Sequence, residues 1–282
     1  MTAGFTRTVA IDWSGAKGKR HKGIAIAEAR QGQPPRLVRP GHVWSRVEVT
    51  DWLVESAAKE PTLFGFDFSF APPLIERGSY LPGEDVPSNA RDFWAYVDAR
   101  CDDEDLGAAS FLEQVHRKHF YFGIADGVKS DFVHFRQCDQ RLNQLGGRKT
   151  ASAYDAIGAA QVAKASFSGM RLLHQFDGRV AIWPIDELRD GESAVVEIYT
   201  RIYIRNAGLS GKKIRTTAEL NRALVALGSM PVKLRTTPSD HQTDALVTAA
   251  GMLAHLANPR AFDPPGLTAD ITRTEGWTFG IV

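Results

Sequence analysis

The sequence predicts an α/β protein: a mixed five-stranded sheet in strand order 3-2-1-4-5, flanked by helices, with a helical and loop insertion at about 74–150. Three observations lead there. Thr8-Val9-Ala10-Ile11 is a short run with β-branched residues that ends in Asp12, and after a glycine turn residues 22–29 (KGIAIAEA) fold back as its hairpin partner. Further short apolar runs alternate with helical patterns, as a layered sheet requires. Finally, the runs that read as central strands carry single acids, Asp12, Asp67 and Glu197. The length, 282 residues, fits one large domain spanning 1–282.

After the hairpin, Leu37-Val38 gives a short third strand. Ser45-Arg46-Val47-Glu48 is a capping box, so 46–59 reads as a helix with Val47, Val54 and Ala58 near one face, closed by Pro61. Residues 62–70 (TLFGFDFSF) form a strand stopped by Pro72 and Pro73. The insertion mixes aromatic anchors with acidic (Asp102 to Asp105) and basic (His116 to His119, Arg148-Lys149) clusters, and reads as a cover over the sheet's carboxyl edge. Residues 151–176 read as a helix broken near Ser168-Gly169. Val180 to Trp183 and Ala194 to Tyr199 read as strands; Thr216 to Glu219 is a second capping box, opening a helix that Gly228 ends. Ser239 caps the last helix with Gln242 at its third position, and residues 245–257 are apolar nearly all round, so that helix is expected to be buried. Residues 258–270 read as a loop and 275–281 as a closing strand.

Composition excludes several classes. Hydrophobic content of 43% and charged content of 24% are those of a soluble globular chain. A formal net charge of +1 does not announce a nucleic-acid binder, so any basic surface has to be local. Two cysteines, Cys101 and Cys138, make no disulfide framework, and a cytoplasmic location is expected. No leader pattern opens the sequence, and its longest apolar run is too short for a bilayer, so no membrane partner is expected. His116-x-x-His119 with Cys101, Cys138 and His134 fits no known zinc spacing.

In the 3-2-1-4-5 order strands 1 and 4 are neighbours, which brings Asp12 and Asp67 to one edge, and a helix packed on the sheet can add Asp244. Carboxylates so close do not all stay ionised without a cation. Oxygen donors suit Mg²⁺ or Mn²⁺, and two such ions about 3.5–4 Å apart activate water and stabilise a leaving oxygen in phosphodiester cleavage. The expected ligands are Asp12, bridging, with Asp67 and Asp244, and Glu197 as an outer ligand; His241 adds a ligand or moves a proton. Lys17 and Lys19 on the first hairpin, with Arg20 and Lys22, and Arg201 and Arg205, with Lys212, Lys213 and Arg215, are candidates to steer a phosphate backbone.

VAIDWSG, GFDFSFAPP, GAAQVAKASFSGM, AIWP, VVEIYTR, DHQTDALVTAA and EGWTFGIV, in this order, resemble the domain-of-unknown-function 429 family across nearly the whole chain. The resemblance implies a ribonuclease-H-like fold and a nuclease activity predicted for that family, related to Holliday-junction resolvases, with nucleic acid as partner. Resolvases pair a first-strand Asp with His-x-x-Asp at the start of the last helix, which Asp12 and His241-Gln242-Thr243-Asp244 match. Asp67 takes the place of the acid at the end of the fourth strand. Thr200 stands where family members often carry Pro.

Each acid also has a structural account. Asp12 can bind the amides of its own turn, Asp67 can cap a loop, Glu197 can be an ion-paired strand acid, and Asp240 and Asp244 suit the positive end of a helix dipole. The rival functions are a non-catalytic nucleic-acid or protein binder, separated by metal titration, and an actin-like kinase or ATPase. The latter normally needs a second phosphate-binding hairpin, and none is seen.

Overall fold

The computed structural model describes residues 4–146, 150–158, 161–209, 213–234 and 236–282. Arg148, Lys149 and Lys212 lie outside these. β1 (Arg7–Asp12), β2 (Ala25–Arg30), β3 (Arg36–Leu37), β4 (Leu63–Phe66), β5 (Ala181–Ile182) and β6 (Ala194–Glu197) form one mixed sheet in the order β3-β2-β1-β4-β6-β5. The sheet therefore has six strands, not five. The 194–197 strand takes the expected place beside β4, and the two-residue β5 adds an outer edge. β1, β4 and β6 are mutually parallel, so their carboxyl ends share one edge; β2 runs antiparallel to β1.

Alternation divides the side chains between two layers. Val9, Ile11, Phe64, Phe66 and Val195 face one apolar cluster, which also holds Phe167 and Met170 of α4 (Val162–Gln175) and Phe93 and Trp94 of α2 (Ala90–Asp98). Ala10, Ala25, Ala27 and Val196 face the other, built with Leu246, Ala249 and Met252 of α7 (Asp240–His255). The small residues of β1 and β2 let α7 lie close to the sheet, and Thr8 Oγ1 donates to the Ala249 carbonyl at 2.8 Å.

Ser45 and Ser239 cap α1 (Arg46–Ala57) and α7 with both arms of the predicted capping boxes formed, and Thr216 does the same for α6 (Thr217–Ala226). The buried face of α1 is Arg46, Val49, Thr50, Leu53 and Ser56; Val47 is exposed. The insertion supplies α2, short 3₁₀ turns and α3 (Gln137–Gln144). α5 (Thr200–Asn206) directly follows β6, and α8 (Ala269–Thr274) occupies the end of the expected loop. The C-terminal segment meets β6 by a single bridge, Thr278 to Glu197, and forms no strand. α4 begins at Val162 and runs unbroken through Ser168-Gly169, because the ring of Phe68 fills the space beside Gly169: a Cβ there would lie 2.3 Å from it. Among the described residues no helix is long and apolar enough to cross a membrane.

The turn after Asp12 depends on a second close approach. A Cβ on Gly15 would fall 2.1 Å from the backbone carbon of Lys164 in α4. Neither backbone has room to give, so Gly15→Ala is expected to cost about 1–3 kcal/mol. Urea denaturation with an unchanged m-value would register that loss; an unperturbed midpoint would contradict the packing.

Candidate active site at the carboxyl edge of the sheet

Asp12 is the last residue of β1, and Asp67 follows β4 directly. The two strands are in register, Ile11 opposite Phe66, and the Asp67 amide donates to the Ile11 carbonyl at 3.1 Å. The two acids are therefore the next step of the same ladder and leave the same face of the sheet, the face α7 covers. The start of α7 lies over them: His241 Nδ1 and Asp12 Oδ2 are 2.5 Å apart. Asp244 is three residues beyond His241, on the same side of the helix. One turn further, Thr248 Oγ1 donates to Thr200 Oγ1 at 2.9 Å, and Thr200 Oγ1 donates to Asp67 Oδ2 at 3.1 Å. Thr200 thus ties α7 and α5 to Asp67.

Burial dominates the electrostatics. It pushes the Asp12 carboxyl above its ordinary pKa even though the hydrogen bond and charge of His241 pull the other way. Asp67 is raised well above the ordinary range, first by burial and then by the charges of Asp12 and Asp244. Asp244 is raised to about 7 by burial, then by Asp12 and Asp240. His241 is raised, chiefly by its hydrogen bond to Asp12. Among the described residues Asp244 has no hydrogen-bond or ion-pair partner, and Asp67 accepts only from Thr200. Three half-buried carboxylates with oxygens left over are a donor set that suits a hard cation. Their spacing is wider than that of a single closed cage: among the described residues the three-ligand group that closes within 4.8 Å is a different one, Glu84, His116 and His119.

The turn itself is held by Arg46, which sequence reasoning missed. This buried guanidinium donates to the carbonyls of Ser14 (2.9 Å), Ala16 (2.6 Å) and Asp105 (2.9 Å). Burial lowers its pKa to about 10, which leaves it charged at neutral pH. Trp13 anchors the other side, its Nε1 donating to Ser168 Oγ at 3.0 Å.

Glu197 does not join the other acids. Register puts it level with Phe66, one step short of Asp67, so its side chain leaves the opposite face. Ile198, which follows β6, instead packs in the apolar layer on the α7 side. Glu197 is 3% exposed, and both its oxygens are bound by the guanidinium of Arg136 at 2.6 Å. It also accepts from the Phe70 amide at 2.8 Å and the Thr278 hydroxyl at 2.6 Å. Its lone pairs are committed, so the expectation of an outer metal ligand gives way to a buried ion pair.

The expected phosphate-steering groups are mostly engaged. Lys17 pairs with Glu113 at 2.7 Å, Lys19 with Glu104 at 2.9 Å, and Arg205 donates to the Gly146 carbonyl at 2.8 Å. Arg201, in the first turn of α5, has no ion-pair partner among the described residues. Asp240 pairs with Lys213 at 2.6 Å, outside the cluster.

No family model, curated protein or solved structure matches this chain.

Proposed function

We propose that the chain is a divalent-metal-dependent nuclease of ribonuclease-H-like fold, belonging to the domain-of-unknown-function 429 family, that hydrolyses nucleic-acid phosphodiesters. One observation carries the reading: Asp12, Asp67 and the His241/Asp244 pair, drawn from β1, β4 and α7, occupy one face at one end of the sheet. The sheet order, once its short outer edge strand is set aside, is the expected 3-2-1-4-5.

Asp12, Asp67 and Asp244 would hold Mg²⁺ or Mn²⁺, which supplies an activated water and charge neutralisation at the phosphate. The protein's own part is positional. Arg46 and Trp13 fix the turn that presents Asp12, and Thr200 fixes the rotation of Asp67. His241, half-exposed on Asp12, can hand a proton between the carboxylate and solvent and orients Oδ2. Lys22, Arg201 and Arg215, which form no ion pair among the described residues, are the groups available to meet a phosphate, and the nucleic-acid reading relies on them more than on the paired lysines.

The test is cleavage of end-labelled single-stranded, duplex and branched DNA and RNA in Mg²⁺ or Mn²⁺. Asp12→Asn is expected to lower the rate about 10²–10³-fold, the loss typical of removing a principal electrostatic group. Equal cleavage by wild type and Asp12→Asn at equal purity would end the proposal.

A further inference from the structure

We propose that Glu84, His116 and His119 form a second cation site, in the insertion and remote in chemistry from the strand-end acids, that takes a borderline divalent ion of the zinc class. One ligand atom of each residue lies within 4.8 Å of the other two. His119 Nε2 and Glu84 Oε1 are 3.4 Å apart. That matches the edge of a tetrahedron whose metal bonds are about 2.0–2.2 Å, which is roughly 3.3–3.6 Å. The other two edges lie within 4.8 Å and would shorten on binding.

His116 supplies an independent observation. Its ring is 4% exposed, its Nε2 lies 3.0 Å from the Tyr96 hydroxyl, and its Nδ1 is buried with no hydrogen-bond partner. With Nε2–H donating to Tyr96, Nδ1 carries an unshared pair that no donor in the protein meets. A ligating imidazole held through its other nitrogen has this arrangement. Two imidazoles and one carboxylate suit zinc and its neighbours; Mg²⁺ prefers oxygen donors alone.

The thiols named in the sequence play no part. Cys138 Sγ lies 3.8 Å from Thr278 Oγ1, the Cys101 thiol is pushed up to about 12 by burial, and His134 pairs with Glu76 at 3.2 Å. Glu84, the third ligand, comes from a loop 32 residues before His116, so no compact motif announces the site. Lys118, exposed, holds Glu84 Oε1 at 2.6 Å and is the group an incoming cation must displace. The ion would tie the loop after Leu81 to the 3₁₀ turn Arg117–His119, with water in the fourth position.

The experiment is calorimetric titration of Zn²⁺ and Mg²⁺ into the chelator-stripped full-length chain, with X-ray absorption of the loaded protein. One Zn²⁺ with two imidazole ligands is expected here. His119→Gln and Glu84→Gln should each weaken its binding at least 10-fold while leaving the melting temperature in chelator unchanged. Lys118→Met should strengthen it several-fold. His116 and His119 are both buried, so Glu84→Gln, at the part-exposed ligand, keeps the test apart from misfolding. His241→Gln should leave this ion in place, which separates it from any ion at Asp12. Zn²⁺ binding that survives the His119→Gln, Glu84→Gln double variant, or no binding by wild type, would overturn the proposal.

Discussion

Glu197→Gln is expected to destabilise the protein by about 3 kcal/mol and to leave divalent-metal binding at Asp12 unchanged. Arg136 is almost wholly buried, and Glu197 meets its guanidinium with two parallel bonds of 2.6 Å. Removing one member of such a pair strands a charge away from water, at a typical cost of about 3–5 kcal/mol. Asp139, at 3.0 Å from Arg136 Nε, remains as a partial counter-charge and places the loss at the lower end. The glutamine amide also turns one acceptor into a donor facing Arg136, the Phe70 amide or the Thr278 hydroxyl, all of which donate. Urea denaturation gives the magnitude. The Arg136→Met, Glu197→Gln double variant should recover much of the loss, since two charges removed together leave neither stranded. A Glu197→Gln protein of wild-type stability that no longer bound metal would return Glu197 to the ligand set.

That residue shows where sequence reading reaches its limit. The local rules worked where the determinants are local. The Asp12 hairpin follows from β-branched residues and a glycine turn, and the capping boxes at Ser45, Thr216 and Ser239 are complete in the structure because both partners sit three residues apart. The position of Asp67 beside Asp12 follows from strand order. Glu197 looked equivalent, but which face it leaves depends on the register of β6 against β4, and a single step exchanges the two faces. The turn-holding role of Arg46 is hidden for the same reason: its partners at 14, 16 and 105 meet it only after folding. Lys17 and Lys19 read as free cations in the chain, yet their acids, Glu113 and Glu104, come from the insertion. α5 is only seven residues long and α8 six, too short for a period to show.

Asp67→Asn is expected to abolish the proposed cleavage and, at the same time, to stabilise the metal-free protein by about 1–3 kcal/mol at pH 8. Burial and the charges of Asp12 and Asp244 hold the Asp67 carboxyl well above its ordinary pKa, and Asp244 stands at about 7. A carboxyl raised on folding binds its proton more tightly folded than unfolded. Its contribution to stability is therefore greatest below the unfolded value, near 4, and falls as pH rises toward the folded value. His241, raised by Asp12, acts in the same direction above its unfolded value near 6.5. His116, His119 and the half-buried His255 are lowered by burial and oppose this trend, but only up to that same unfolded value. Above pH 6.5 only the raised groups still change protonation, and metal-free wild type should lose melting temperature as pH rises from there through the Asp244 value of about 7. The gap between Asp67→Asn and wild type should widen with it, because the asparagine amide fills the site without a charge. Mg²⁺ should close the gap at pH 8 by stabilising wild type alone, by roughly 2.7 kcal/mol at a hundredfold excess over its Kd. A gap independent of pH, or an Asp67→Asn protein that Mg²⁺ stabilises as strongly as wild type, would mean that these carboxylates neither repel one another nor share an ion.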